Sequence, residues 1–212
     1  GRPGPVVIDV PKDVQQYFGE FKGEGCLEFR GFDKRKERRA NKTMTKTVAN
    51  DFFRKLKQSK RPLVYAGGGI IMGDASDELR KFLKKFKLPV VTTLMGISSV
   101  DTTEPLSMHM LGMHGTAYAN YAVEDCDFLI AIGARFDDRV AGKVAEFAPN
   151  AKDIAHIDLD SAEIGKVKAV TWSHNAGAKR SLAELIKFGK DVKVNFSDWH
   201  RHLKKLKEKH RL

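Results

Sequence analysis

Cysteine is nearly missing from this chain: two residues in 212, Cys26 and Cys126, a hundred positions apart. Without a close-spaced pair there is no disulfide framework and no zinc motif, and such usage fits a reducing compartment. Long apolar runs are missing as well. None approaches the roughly 20 residues of a membrane-spanning helix, and the opening Gly1-Arg2-Pro3-Gly4-Pro5 is not a signal peptide. A soluble chain with no membrane partner is expected. Neither a P-loop nor a Gly-x-Ser-x-Gly elbow occurs, so P-loop phosphoryl transfer and serine-hydrolase chemistry find no support. The seven histidines are dispersed. His109 and His114 share one loop, but no cysteine or close carboxylate completes a ligand set, so packing or backbone hydrogen bonding is the expected fate of both. What is present, 42% hydrophobic and 9% aromatic residues, suffices for the core of one large domain, alone or with fragments of its neighbours.

The net charge of +11 is unevenly spread. Arg30 to Arg61 holds 13 Lys/Arg against 3 Asp/Glu, and Asp198 to Leu212 holds 6 against 2, while the remainder is slightly acidic. The basicity therefore lies in a connector and a terminal helix, where solvated lysine faces are the usual explanation. Nucleic acid is not an expected partner, because no recognition motif or aromatic platform accompanies the charge.

Strand-like and helical runs alternate. Pro5 to Val10 is β-rich and closed by Pro11. A strand opening a chain this abruptly reads as the tail of a domain whose body is missing. Gly19 to Met44 reads as a basic linker. Thr45 to Lys60 carries Val48, Phe52, Phe53 and Leu56 at helical spacing, with Thr45 or Thr47 as N-cap. Strands follow at Pro62–Ala66, Pro89–Thr93, Phe128–Ile132 and Ile154–Leu159, with a fifth expected at Lys168–Trp172. Helices are expected at Ser76–Lys87, Thr116–Glu124, Val144–Phe147, Ala178–Phe188 and Ser197–Lys209, and a long loop at Leu94–Gly115. This alternation predicts an α/β fold with a doubly wound parallel sheet, Rossmann-like. The expected division is a domain remnant over 1–18, a linker over 19–44, the α/β domain over 45–190 and a basic helical tail over 191–212.

The most informative stretch is Phe128 to Arg139. An apolar strand ends at Gly133, and Arg135-Phe136-Asp137-Asp138-Arg139 follows, offering two guanidinium forks and two carboxylates. Such a loop suits a ligand with phosphates and sugar hydroxyls, although a solvated strand-to-helix turn has the same composition. Gly67-Gly68-Gly69 directly follows a strand, where an anion could meet bare backbone N–H groups; a tight turn without ligand is the alternative. It does not match the dinucleotide fingerprint, since Met72 falls where a third glycine belongs. Asp158, at the end of a strand, could accept from ribose hydroxyls or cap a helix. Met108, Met110 and Met113 could border a flat aromatic ligand or fill the core.

These residues carry a resemblance. Gly1 to Val6 with Asp9 to Asp13 resembles the end of the pyrimidine-binding domain of thiamine-diphosphate enzymes. Thr93-Leu94-Met95-Gly96, Leu111 to Thr116, Gly133 to Arg139 and His156 to Lys166 resemble the central domain of the acetolactate synthase (acetohydroxyacid synthase) catalytic subunit family. In that family the central domain binds FAD along the C-terminal edge of the sheet. The matching positions are Arg2, Gly67, Gly68, Thr93, Leu94, Leu111, Gly112, Met113, His114, Gly133, Ala134, Arg135, Phe136, Asp137, Asp138, Arg139, Asp158 and Leu159. Asp138 and Arg139 also match positions at the mouth of the substrate and inhibitor channel. Where the family has Gly-Asp beside the flavin nucleotide, this chain has Ala176-Gly177-Ala178.

The resemblance implies joining of two 2-oxoacids with loss of CO2, by thiamine diphosphate and Mg2+. It further implies a homodimer or homotetramer, a regulatory small subunit, and a cytoplasmic, plastid or mitochondrial location. The family's activating glutamate and its diphosphate- and magnesium-binding motif do not occur in these residues, so no catalytic or metal-binding residue is expected here. The segment alone is expected to be inactive. Glyoxylate carboligase and pyruvate oxidase share the fold, and a non-catalytic cofactor-binding or assembly module and a polyanion-binding protein are rival readings.

Overall fold

A computed structural model describes residues 4–20, 22–23, 31, 34 and 42–210. Among them, six strands form one sheet: β1 (Pro62–Ala66), β2 (Val90–Thr92), β3 (Ser107–Met110), β4 (Phe128–Ile132), β5 (Asp153–Asp158) and β6 (Trp172–Asn175). All pair in parallel, in the order β3-β2-β1-β4-β5-β6. The chain steps outward from β1 to β3, then returns to lay β4 on the other side of β1. That reversal makes a crevice at the C-terminal ends of β1 and β4.

Every residue of β1 and β4 is buried, as expected of central parallel strands covered on both faces. The covering helices are α1 (Lys46–Gln58), α2 (Ser76–Phe86), α3 (Ala117–Asp125), α4 (Ala178–Phe188) and α5 (Ser197–Lys209). Helix α1 starts where Thr45 Oγ1 accepts from the Val48 N–H at 3.3 Å, and α3 where Thr116 Oγ1 accepts from the Ala119 N–H at 3.1 Å. Helix α1 buries Phe52, which meets the rings of Phe53, Phe82, Phe128 and Trp172 at centroid distances of 5.1 to 6.2 Å. Helix α2 buries Leu79, Phe82, Leu83 and Phe86, the four residues expected to form its apolar stripe. Helix α5 is anchored by Trp199, whose Nε1–H donates to the Pro62 carbonyl at 2.9 Å.

Four expectations are corrected. Pro5–Val10 forms no strand: Val6, Val7 and Ile8 stand more than 80% exposed, and no described strand pairs with them. β-propensity without a neighbour to accept its backbone bonds leaves an extended segment. The Leu94–Gly115 loop contains β3, where Met108 is fully buried beside β2. The helical turn expected at Val144–Phe147 forms earlier, at Asp138–Ala141, because the Asp137 carboxylate caps it and Gly142 ends it at φ +51°. The fifth expected strand forms at Trp172–Asn175. Thr171 ties its entry to β5: its Oγ1 accepts from the Ile154 N–H at 3.2 Å. Most of the expected linker lies outside the described residues. Among these, no helix is long and apolar enough to cross a membrane.

Candidate functional site

The strand tips are laced edge to edge by their backbones. The Leu111 N–H donates to Thr92 O at 3.1 Å and the Thr93 N–H to Ala66 O at 3.0 Å. The Gly67 N–H donates to Ile132 O at 2.9 Å and the Gly133 N–H to Ile157 O at 2.8 Å. One continuous rim therefore runs from the end of β2 to the end of β5. At its centre the first and fourth strand turns nearly touch. A Cβ on Gly67 would fall 2.1 Å from the Gly133 carbonyl oxygen, and one on Gly69 2.6 Å from the Gly133 Cα. Gly133 itself takes φ +58°. Only bare backbone fits here.

The rim encloses a cavity of about 650 Å³, within the usual range for small-molecule sites. Gly67, Gly68, Thr93 and Leu94 line one side. Gly133, Ala134, Arg135, Asp137 and Arg139 line another, and Asp158 with Leu159 the third. All eleven were expected from the sequence. Gly69 of the first glycine turn lines it too, as do Tyr65, Ile71, Met72, Met95, Val140 and Gly177, which were not singled out for it. Met72 and Met95 could have been found as neighbours of the two glycine turns.

Six expected positions do not face the cavity. Phe136 adopts φ +56° and turns its buried ring inward, 5.4 Å from Tyr65 and 5.3 Å from His156. An apolar ring in a charged loop gains more from the core than from the rim. Asp138 is spent locally, accepting from the Arg139 N–H at 3.0 Å. Leu111 is buried, and His114 is exposed. Gly112 and Met113 back onto the arginine loop, where the Met113 N–H donates to Arg139 O at 3.3 Å. Asn120 clamps Gly112 on both sides, accepting from its N–H at 2.8 Å and donating to its carbonyl at 3.0 Å. That segment thus supports the loop instead of lining the cavity. Arg2 lies outside the described residues.

The polar groups of the cavity are held in defined states. Arg135 pairs with Asp137 at 2.9 Å. A hydrogen bond shared with the Asp138 carboxyl, then the Arg139 N–H, keeps the Asp137 carboxyl below its usual range. Burial, helped by the charge of Asp137, pushes the Tyr65 hydroxyl above its ordinary pKa and keeps it neutral. Behind the rim, fully buried His156 places Nε2 2.9 Å from the Ala134 carbonyl and 3.9 Å from Asp158 Oδ2. With a carbonyl as partner, Nε2 must carry the proton. Burial holds the imidazole pKa below its ordinary value despite Asp158. Asn175 donates to the carbonyls of Asp158 and Leu159, both at 3.0 Å, fixing the end of β5.

Five buried polar atoms find no hydrogen-bond partner among the described residues: Glu78 Oε2 and His174 Nε2 away from the rim, and Tyr65 Oη, Thr93 Oγ1 and His156 Nδ1 at or behind it. Tyr65 and Thr93 border the cavity. Buried hydroxyls without partners are costly unless a bound molecule or water satisfies them. The donor set also includes two guanidinium groups, a strand-end carboxylate and aliphatic and thioether surface. It fits a molecule that combines an anionic bridge, hydroxyls and a flat apolar body. A flavin dinucleotide is such a molecule. Among the described residues no group of three or more His, Cys, Asp or Glu could hold a metal.

Residues 49–185 match the family described as thiamine pyrophosphate enzyme, central domain. The chloroplastic acetolactate synthase of Arabidopsis thaliana is 43% identical over 99% of this chain and 31% of its own length. Acetolactate synthase 1, chloroplastic, of Nicotiana tabacum is 44% identical over 100% of this chain and 31% of its own length. The acetolactate synthase large subunit of Parasynechococcus marenigrum is 46% identical over 88% of this chain and 29% of its own length. The chain thus spans about a third or less of the relatives it matches. With a matching family model over residues 49–185 and a parallel sheet of the expected kind, the chain belongs to the thiamine pyrophosphate enzyme central-domain family.

Proposed function

We propose that this segment is the FAD-binding central domain of an acetolactate synthase. The whole enzyme would join two 2-oxoacids, pyruvate with pyruvate or with 2-oxobutyrate, releasing CO2. The observation that carries the reading is the convergence of four strand ends, two arginines and two unpartnered buried hydroxyls on one cavity. Arg135 and Arg139 would neutralise the pyrophosphate. Asp158 would accept from ribose or ribityl hydroxyls, and Tyr65 and Thr93 would hydrogen-bond polar edges of the ligand. Met72, Leu94 and Met95 would flank the flavin ring. Gly67, Gly69 and Gly133 would let the ligand lie directly on the backbone.

Thiamine diphosphate with Mg2+ would supply the carbanion chemistry through other parts of the enzyme. This segment's contribution is to bind, orient and exclude water. Asp138 and Arg139 would stand near the channel by which substrates enter. Homologous plant proteins carry chloroplastic in their names, which supports a plastid location if this chain comes from a plant. An assembly with further copies, and with a regulatory subunit, belongs to the same proposal.

Titration of flavin-free protein with FAD tests the reading through flavin fluorescence. Saturable binding at micromolar FAD is expected, and no binding at that concentration would overturn it.

A further inference from the structure

A second cleft, larger than the cavity, lies away from it, at the end of the sheet where β2 and β3 begin. It has a volume of about 1040 Å³ and runs between α2 and α5. Two rows of cations form its walls: Arg80, Lys84 and Lys87 from α2 and its end, and Arg201, Lys204 and Lys207 from α5. Each row spans about two helical turns, roughly 10 Å. The floor between them is aliphatic, made by Leu83, Leu88, Val90, Val100 and Leu106.

Three of these six cations have a carboxylate within ion-pair distance, each on its own helix. Arg80 pairs with Asp77 at 2.8 Å, Arg201 with Asp198 at 3.3 Å, and Lys204 stands 3.9 Å from Glu208. Lys84 and Lys87 make no ion pair among the described residues. Lys207 is partly buried, and its ammonium donates to the Pro105 carbonyl at 3.1 Å, 6.0 Å from the Tyr118 ring. Burial lowers its pKa, as for an ammonium lacking a carboxylate partner. Of the two acidic residues lining the cleft, Asp101 is already engaged by the Thr103 N–H and hydroxyl at 2.8 and 2.7 Å.

We propose that this cleft is a docking groove for an acidic amphipathic helix of a partner protein. The apolar face of such a helix would fill the aliphatic floor, and glutamates on its flanks would reach the two rows of lysine and arginine. A phosphate polyanion is a poorer occupant, because the aliphatic floor gives phosphates nothing and no Phe, Tyr or Trp lines the cleft to stack bases. A second copy of this chain, net +11, and its own basic run Arg30 to Arg61 are like-charged.

The test uses the full chain and a fluorescein-labelled peptide of about 16 residues with leucines on one helical face and glutamates beside them. Saturable binding is expected. Lys84→Glu with Lys204→Glu should weaken it at least about tenfold. Lys81→Glu with Lys205→Glu, the same charge change on exposed positions of the same helices outside the groove, should weaken it less than about threefold. All four lysines are exposed, so the variants keep the fold, which circular dichroism checks. Equal losses from both pairs, or equal binding by a peptide with its leucines changed to serine, would reduce the effect to net charge and overturn the proposal. So would heparin binding that falls with Lys84→Glu and Lys204→Glu while peptide binding does not. Dimerisation of the chain alone that the same pair abolishes would assign the groove to a second copy and also overturn it. Absence of peptide binding would end it.

Discussion

Gly67 and Gly133 meet backbone to backbone, so closely that a methyl group on Gly67 would lie 2.1 Å from the Gly133 carbonyl oxygen. The contact joins the turn after β1 to the turn after β4 and sets the floor of the cavity. Gly67→Ala should therefore cost about 1–3 kcal/mol through overpacking and abolish FAD binding. Gly177 lines the same cavity, yet a Cβ there meets nothing within 4 Å. Gly177→Ala should change stability by less than about 0.5 kcal/mol. Urea denaturation of the two variants checks the contrast.

Arg135 is half exposed and pairs with Asp137 across an exposed loop. Exposed pairs contribute little to stability, so Arg135→Ala should leave the unfolding midpoint nearly unchanged. Loss of a charge-assisted phosphate contact should weaken FAD binding more than about tenfold. Isothermal titration reads both the affinity and the stoichiometry. Unchanged affinity would move the pyrophosphate elsewhere.

His156 and His174 are both buried, and burial holds each pKa below 6.5. In the unfolded chain these imidazoles take up protons as the pH falls through 6.5; in the folded chain they do so only at lower pH. The unfolded state then binds more protons, and stability falls with pH across that interval. Carboxylates with lowered pKa, such as Asp153, lose their contribution only in a separate window below 3.8. Urea midpoints should accordingly drop between about pH 7.5 and about pH 5.5. His156→Gln, which keeps a donor for the Ala134 carbonyl, should show a shallower drop. An unaltered slope in that variant would place the titration on other groups.

Phe52 is fully buried among four other aromatic rings. Truncation to alanine removes ring contacts to α1, α2, β4 and β6 together, and should cost about 3–5 kcal/mol. Thermal or urea unfolding measures it, and a loss below about 1 kcal/mol would mean that the cluster collapses around the gap.

Most of this architecture is legible in the sequence because its parts are local. The Phe128–Ile132 run is apolar at every position, as a parallel strand buried on both faces requires, and its limits match those observed. The Phe52 and Leu79 stripes follow the helical period and face the core. β3 was hidden because Ser107-Met108-His109-Met110 has no β-branched residue and gains its strand conformation from pairing with β2, across an irregular register. Pro5–Val10 shows the reverse case, strong propensity without a partner.

Local composition by itself determined which segments become strands and helices, where glycine and charge cluster, and which family the pattern resembles. Side-chain direction within those clusters was decided only by tertiary structure. Arg135 and Asp137 line the cavity, while Phe136 between them turns into the core and Asp138 accepts from the neighbouring Arg139 N–H. The need for glycine at position 67 likewise exists only because another turn, sixty-six residues later in the chain, comes within van der Waals reach. The physical reason is that propensity acts over a few neighbouring residues, whereas burial and close approach depend on which distant segments the crossovers bring together.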